Sequence, residues 1–163
     1  LYVFCCFTGL SFTDMKNLTK DNVQTSFDGK LWIMTKRQKT GVESNIMLMD
    51  IPLRIIEKYD GMAKENYLLP VPQYITACKN LKTIIGLCGI EKNITWHTSR
   101  HTMATEICLT NGVPIETLSK MLGHTNIRTT QIYAKITHEK ESRDMAALSD
   151  KLSKIEQFNG ISI

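Results

Sequence analysis

The stretch "HTSRH", His97 to His101, sets two histidines four residues apart with an arginine between them. On a helix that spacing puts both rings on one face, as in zinc-binding H-E-x-x-H. Here Thr98 stands where the glutamate would be, and no carboxylate follows at a usual third-ligand spacing. Arg100 would also hold a fixed positive charge beside the metal. Phosphate chemistry fits better. The Arg100 guanidinium is a planar fork that matches phosphate oxygens two at a time. His97 falls near the expected helix start, where free backbone N–H groups and the helix dipole favour an anion. His101, followed by Met103, Ala104 and Ile107, is expected to be a buried core histidine.

A second group lies downstream in "LGHTNIRTTQIY". Gly123 ends one helix and sets His124 at a turn, and Tyr133 follows nine residues later, expected on the next short helix. A tyrosine hydroxyl can attack a phosphodiester when cations bind the phosphate, and its ability to leave again makes the covalent step reversible. The chain has five tyrosines, and the spacing from His124 singles out Tyr133.

These residues resemble the catalytic half of the tyrosine recombinases, or phage-type integrases, whose signature is H-x-x-R, then L-G-H, then tyrosine nine residues on. All three parts occur here in order, with 23 residues between Arg100 and His124. "FTGLSFTDMKNLTKDNV" is similar to the first catalytic box of that family, and "RQKTG" to its sheet lysine, so the resemblance covers nearly the whole chain. It implies a site-specific recombinase that cuts and rejoins double-stranded DNA through a 3′-phosphotyrosine. No metal, ATP or other cofactor is implied. By the same resemblance Tyr133 is the nucleophile, and Arg100 and His124 hold the phosphate. His97 manages protons near the nucleophile, and Lys39 is the general acid for the leaving 5′-oxygen. Lys36 competes with Lys39 for that role. Thr40, in the same turn, joins Lys36 as a DNA-contact candidate.

The first box departs from the family pattern. T-G-L-R is expected, and the chain reads "TGLSF", with Ser11 in the arginine's place. A serine has neither the charge nor the reach of a bidentate fork. Arg37 and Lys16 are the candidate replacements, and Arg37 is preferred because hairpin residues already approach the phosphate. A site that binds phosphate more weakly, or a degenerate and inactive one, would also fit a serine here. The serine resembles a subgroup, the integrases of Bacteroides-type mobile elements.

The elements that must position these groups follow from punctuation and periodicity. Residues 1–9 are expected to be helical and to stop at Gly9, with a new helix capped by Ser11. Residues 23–49 are rich in β-branched and aromatic residues and are divided by "DG" (Asp28–Gly29) and "KTG" (Lys39–Gly41), which predicts a three-stranded antiparallel meander. Helices are expected from Pro52 to near Gly61, at 73–88 and at 97–111 before Gly112. Others are expected over "PIETLSKMLG", at 126–134 and at 138–158. The expected fold is α+β and mainly α: a helical catalytic domain with a small three-stranded antiparallel sheet, the DNA breaking-rejoining fold.

The bulk properties agree. The chain of 163 residues with 42% apolar content can build a core, and its net charge of +4 is compatible with nucleic acid without requiring it. No apolar run nears the roughly 20 residues of a membrane helix. The five cysteines, Cys5, Cys6, Cys78, Cys88 and Cys108, lie in apolar stretches and are expected to be small core residues in a reducing compartment. Residues 1–163 are expected to be one recombinase catalytic domain lacking an N-terminal DNA-binding domain, from a DNA-associated protein of the bacterial cytoplasm. The tail, 138–163, carries Met145, Leu148, Leu152 and Ile155 on one stripe, which packs either on its own domain, the commoner outcome, or, as such tails often do in this family, on a neighbouring subunit within a homo-tetramer on DNA. The alternatives are a non-catalytic helix-turn-helix protein, a type IB topoisomerase and a metal-dependent nuclease. The first leaves "HTSRH" unexplained, the compact spacing and "TGL" disfavour the second, and the lack of grouped carboxylates disfavours the third.

Overall fold

The computed structural model describes residues 1–134 and 138–159, with the side chains of 138–140 and 155–159 outside the description. Helix α1 (Tyr2–Thr8) ends at Gly9, which turns left-handed, and α2 (Phe12–Lys16) begins at once behind Ser11. Ser11 Oγ accepts the Asp14 N–H at 3.1 Å, the expected cap.

Strands β1 (Val23–Thr25), β2 (Leu31–Lys36) and β3 (Glu43–Met47) form an antiparallel sheet in sequence order, as the alternation predicts. Gly29 and Gly41 take positive φ in the two turns. Register sets Ile33 opposite Ile46, and both are buried on the inner face. A slip of one residue would turn both to solvent, so burial pins the register. Ser44, on β3, donates to the Met121 carbonyl and ties the sheet to the later helices.

Helices α3 (Asp50–Lys58) and α4 (Tyr74–Leu87) follow. Pro52 sits in the first turn of α3, where its missing N–H removes no bond. Helix α5 (Trp96–Thr102) opens the predicted 97–111 helix, but the chain then rewinds into a π segment, Met103–Cys108, and a 3₁₀ turn, Leu109–Asn111. Thr102 and Thr105 hydroxyls bond the carbonyls of Thr98 and His101 at the change in winding. Hydroxyls that take up i−4 carbonyls compete with the regular ladder. Gly112 stops the run at φ 82°.

Helix α6 (Ile115–Met121) matches the expected Pro-to-Gly segment. The helix expected at 126–134 is shorter: α7 spans only Arg128–Gln131. Its sequence is crowded with Thr129, Thr130 and Ile132, whose branched side chains resist helical extension. Tyr133 therefore stands in the turn after α7 rather than on it. Helix α8 (His138–Asn159) belongs to a second unit, 134–163, separate from 1–133.

The core of the first unit gathers Phe4, Cys5, Leu10, Met15, Leu18, Ile33 and Ile46 between α1, α2 and the sheet, with Trp96 at its edge. Cysteine burial is narrower than expected. Cys5 and Cys108 are buried, Cys6 and Cys78 are half-buried, and Cys88 is exposed where it caps α4; all five are free thiols. Among the described residues no helix is long and apolar enough to cross a membrane.

Candidate active site

Helix α5 is fixed at its start. Thr98 Oγ1 accepts the Thr95 N–H at 3.0 Å, so the residue that replaces a metalloprotease glutamate serves as a cap. Trp96 packs edge-on against Tyr2 and Phe12, with centroids 5.5 and 4.9 Å away, and pins α5 to α1 and α2. One turn on, Arg100 points inward and is only 4% exposed. Its guanidinium donates to the carbonyls of Gly9 and Leu122, joining the ends of α1 and α6.

The glycines of "TGL" and "LGH" have spatial reasons. A Cβ on Gly9 would lie 2.8 Å from Leu122 Cδ2 and 3.0 Å from Met103 Cγ. A Cβ on Gly123 would lie 2.7 Å from Arg37 Cδ. Through that gap Arg37 Nη1 reaches the Leu122 carbonyl at 3.3 Å, the oxygen that also receives Arg100. Two guanidinium groups thus converge on one acceptor.

Asp14 offsets part of that positive charge. It is buried, accepts from Ser11 Oγ at 2.7 Å and from the Gln38 N–H at 2.9 Å, and lies 3.5 Å from Arg37 Nε. Ser11 therefore serves Asp14, and Asp14 holds the base of the β2–β3 hairpin. Burial and then Arg37 lower the Arg100 pKa to about 10, against the raising influence of Tyr133 and Asp14. The group stays charged at neutral pH.

His124 sits at the turn after α6. Its Nε2 is 3.0 Å from Arg100 Nη2, and its Nδ1 is 2.8 Å from Thr130 Oγ1. Burial first, then Arg100 and Arg37, push its pKa down to about 4. His97 is also lowered, by burial and then by His101, Arg100, Arg37 and Lys39. Both rings are neutral at neutral pH.

Tyr133 is buried, with its N–H bonded to the Thr130 carbonyl at 3.0 Å. Its ring lies nearly parallel to His124, 6.5 Å away between centroids. The expectation for His101 needs correction. It is half-buried, and its ring meets Tyr133 edge-to-face at 4.9 Å and His97 at 4.9 Å, linking the two. The i, i+4 spacing of "HTSRH" sets out a row of rings ending at the phenol.

The other sequence candidates divide. Ser11, Lys16, His97 and Arg100 line an open cleft of about 460 Å³ with Tyr74 and Trp96. Lys16 is engaged with Gln73 Oε1 at 3.0 Å, whereas Arg37 stands beside Arg100. Lys39 and Thr40 lie exposed in the hairpin turn, and the Lys39 charge is felt at His97. Lys36 faces Glu43 across the strand pair and is exposed. Sequence reasoning missed Asp14, Thr130 and the Leu122 carbonyl. Asp14 left one signal, its place three residues after the Ser11 cap. Among the described residues no group of three or more His, Cys, Asp or Glu side chains is placed to hold a metal.

Comparison with known proteins identifies the family and the fold. The phage integrase family profile matches residues 1–140. A tyrosine recombinase of Pseudothermotoga lettingae is 29% identical over 146 residues, covering 83% of this chain and 48% of that protein. Tyrosine recombinase XerD of Lacticaseibacillus casei is 46% identical over 61 residues, covering 37% of this chain and 20% of the relative. The chain thus spans under half the length of these relatives. The fold resembles the XerA recombinase crystal structure, with TM-score 0.71 at 22% identity over 90% of this chain and 56% of that one. It also resembles the catalytic domain of bacteriophage HP1 integrase, with TM-score 0.61 at 21% identity over 91% and 82% of the two chains. With the signature residues converging on one phenol and the family profile spanning residues 1–140, the chain belongs to the phage integrase family of tyrosine recombinases.

Proposed function

We propose that the chain is the catalytic domain of a site-specific DNA recombinase that cuts and rejoins strands through Tyr133. The observation that carries this reading is the meeting of Tyr133 with the Arg100–His124 pair inside one cationic site. The phenolic oxygen attacks a DNA phosphorus, the bond to the 5′-oxygen breaks, and a 3′-phosphotyrosine and a 5′-hydroxyl result. Another strand's 5′-hydroxyl reverses the step. Bond energy is kept in the ester, so the exchange requires neither metal nor ATP. Arg100 and Arg37 hold the non-bridging oxygens, with His124 a third phosphate donor, and neutral His97 can take up the phenolic proton. Lys39, on its exposed hairpin, gives a proton to the leaving oxygen.

Within the family, the protein sides with the integrases of Bacteroides-type mobile elements, on the ground that Ser11 stands in the place of the first-box arginine while His97, Arg100, His124 and Tyr133 are kept. The partner is a specific double-stranded site in bacterial DNA. Assembly is a homo-tetramer in which α8 docks on the next subunit; Met145, Leu148 and Leu152 are exposed on that helix, and the Ile155 side chain lies outside the described residues. A helix-turn-helix reading suits the structure less well, because α7 has only four residues to enter a groove.

The test is a denaturing gel. The protein, extended at its N-terminus to the length of its relatives, is mixed in EDTA with nicked duplexes of randomised sequence. A covalent adduct that disappears in Tyr133→Phe is expected, with transfer to a second duplex bearing a free 5′-hydroxyl. No adduct from any duplex would reject the reading, and adduct without transfer, together with relaxation of a supercoiled plasmid in a parallel reaction, would favour the topoisomerase.

A further inference from the structure

We propose that Thr130 is a positioning residue whose hydroxyl lets His124 exchange one ring tautomer for the other when a phosphate enters. The proposal rests on the recombinase reading only for the identity of that phosphate. Thr130 is fully buried and lies between His124 and Tyr133 in the chain. Its Oγ1 lies 2.8 Å from His124 Nδ1, and Arg100 Nη2 lies 3.0 Å from Nε2 on the opposite side of the ring.

The partners assign the tautomer. A guanidinium carries donors only, so the nitrogen facing Arg100 must accept. The ring proton then sits on Nδ1 and is donated to the Thr130 hydroxyl oxygen. In that form Nε2 has a lone pair and nothing to give. Phosphate oxygens also only accept, so His124 can bind a phosphate only after Nε2 gains a proton.

Two routes lead there. One adds a second proton to the ring, against burial and two neighbouring guanidiniums; its lowered pKa agrees that this is disfavoured. The other loses the Nδ1 proton to solvent and takes one up on Nε2, with no net change in charge. That second route needs a partner at Nδ1 able first to accept and then to donate. A hydroxyl does both, whereas a carboxylate or a backbone carbonyl only accepts and would hold the proton on Nδ1. Thr130 also accepts the Tyr133 N–H through its own carbonyl at 3.0 Å, so one residue sets the histidine and the turn of the nucleophile together.

Nitrogen-15 NMR of histidine-labelled protein reads the tautomer directly, since protonated and bare ring nitrogens resonate far apart. At neutral pH the free protein should show a protonated Nδ1 and a bare Nε2 at His124. Two probes supply the phosphate: concentrated inorganic phosphate, and a nicked duplex recovered as adduct and bound to Tyr133→Phe. Both should reverse the pattern. Thr130→Val, nearly equal in size, should keep the free tautomer that Arg100 imposes, fail to reverse it with either probe, and form adduct about 10-fold more slowly at unchanged DNA affinity, the loss one hydrogen bond accounts for. Thr130→Ser should restore both the reversal and the rate. A tautomer that neither probe changes, a valine variant at the wild-type rate, or a serine variant as slow as valine would each overturn the proposal. If no duplex yields adduct, the recombinase reading fails by itself, while the inorganic phosphate spectrum still decides the tautomer.

Discussion

At the scale of single residues, charge placement governs the site. Arg37 and Arg100 share the Leu122 carbonyl, and Asp14 lies beside Arg37 Nε. If Arg37 supplies the phosphate contact that Ser11 cannot, Arg37→Ala will slow adduct formation by ~10²–10³, the usual cost of one preorganised donor. Wild-type kinetics in that variant would remove Arg37 from the role, and cleavage by the native protein, which is expected, would show that no arginine is needed at position 11. The His124 ring sets a pH dependence of stability. Its folded pKa is depressed to about 4, below the roughly 6.5 of an unfolded histidine. Between those values the unfolded chain binds more protons, so the contribution is present above about pH 6.5 and is lost as pH falls toward 4. The urea midpoint should drop across that window, and the drop should be shallower in His124→Gln; equal slopes would refute the assignment. His97 contributes in the same direction.

At the scale of elements, close backbone approach decides which side chains meet. Gly123 has φ 58°, and a methyl group there would collide with the Arg37 stem. Gly123→Ala should therefore cost about 1–2 kcal/mol for the left-handed backbone alone and also displace Arg37. Thermal denaturation reads the first effect and the adduct assay the second; retained activity would show that Arg37 has room to move. The β2–β3 hairpin is anchored at its base by Gln38 and Arg37 on Asp14, while its turn at Lys39 stays exposed. That arrangement suits a lysine that reaches DNA. Lys39→Ala should slow cleavage by ~10²–10⁴ and regain speed on a duplex whose leaving oxygen is replaced by sulfur, which departs without an acid. Failure of that rescue would assign the acid to another group, with Lys36 the next to examine.

At the scale of the whole molecule, the chain comprises a unit over 1–133 that holds the catalytic candidates and a second unit containing α8. Met145, Leu148 and Leu152 recur along one face of α8 and are exposed. If that face docks on a second copy, deleting 138–163 should reduce the assembly on DNA to smaller species in sedimentation while Tyr133 chemistry in the isolated subunit persists. An unchanged sedimentation profile would count against docking.

The sequence alone determined the features written in local order. Turn residues at Asp28–Gly29 and Lys39–Gly41 set the meander, Ser11 capped α2, and the spacing of Arg100, His124 and Tyr133 named the chemistry. It misjudged the length of the helix before Tyr133, where the branched Thr129, Thr130 and Ile132 outweigh the helical spacing, and the surroundings of His101, which depend on contacts from a distant segment. Only the tertiary structure decided that Asp14 holds Arg37 and Gln38, that Gly9 and Gly123 are spaces for Leu122 and Arg37, and that Thr130 faces His124. The reason is physical: spacing along a chain fixes which face of an element a residue takes. What that face meets depends on how separate elements pack, and no single stretch encodes it.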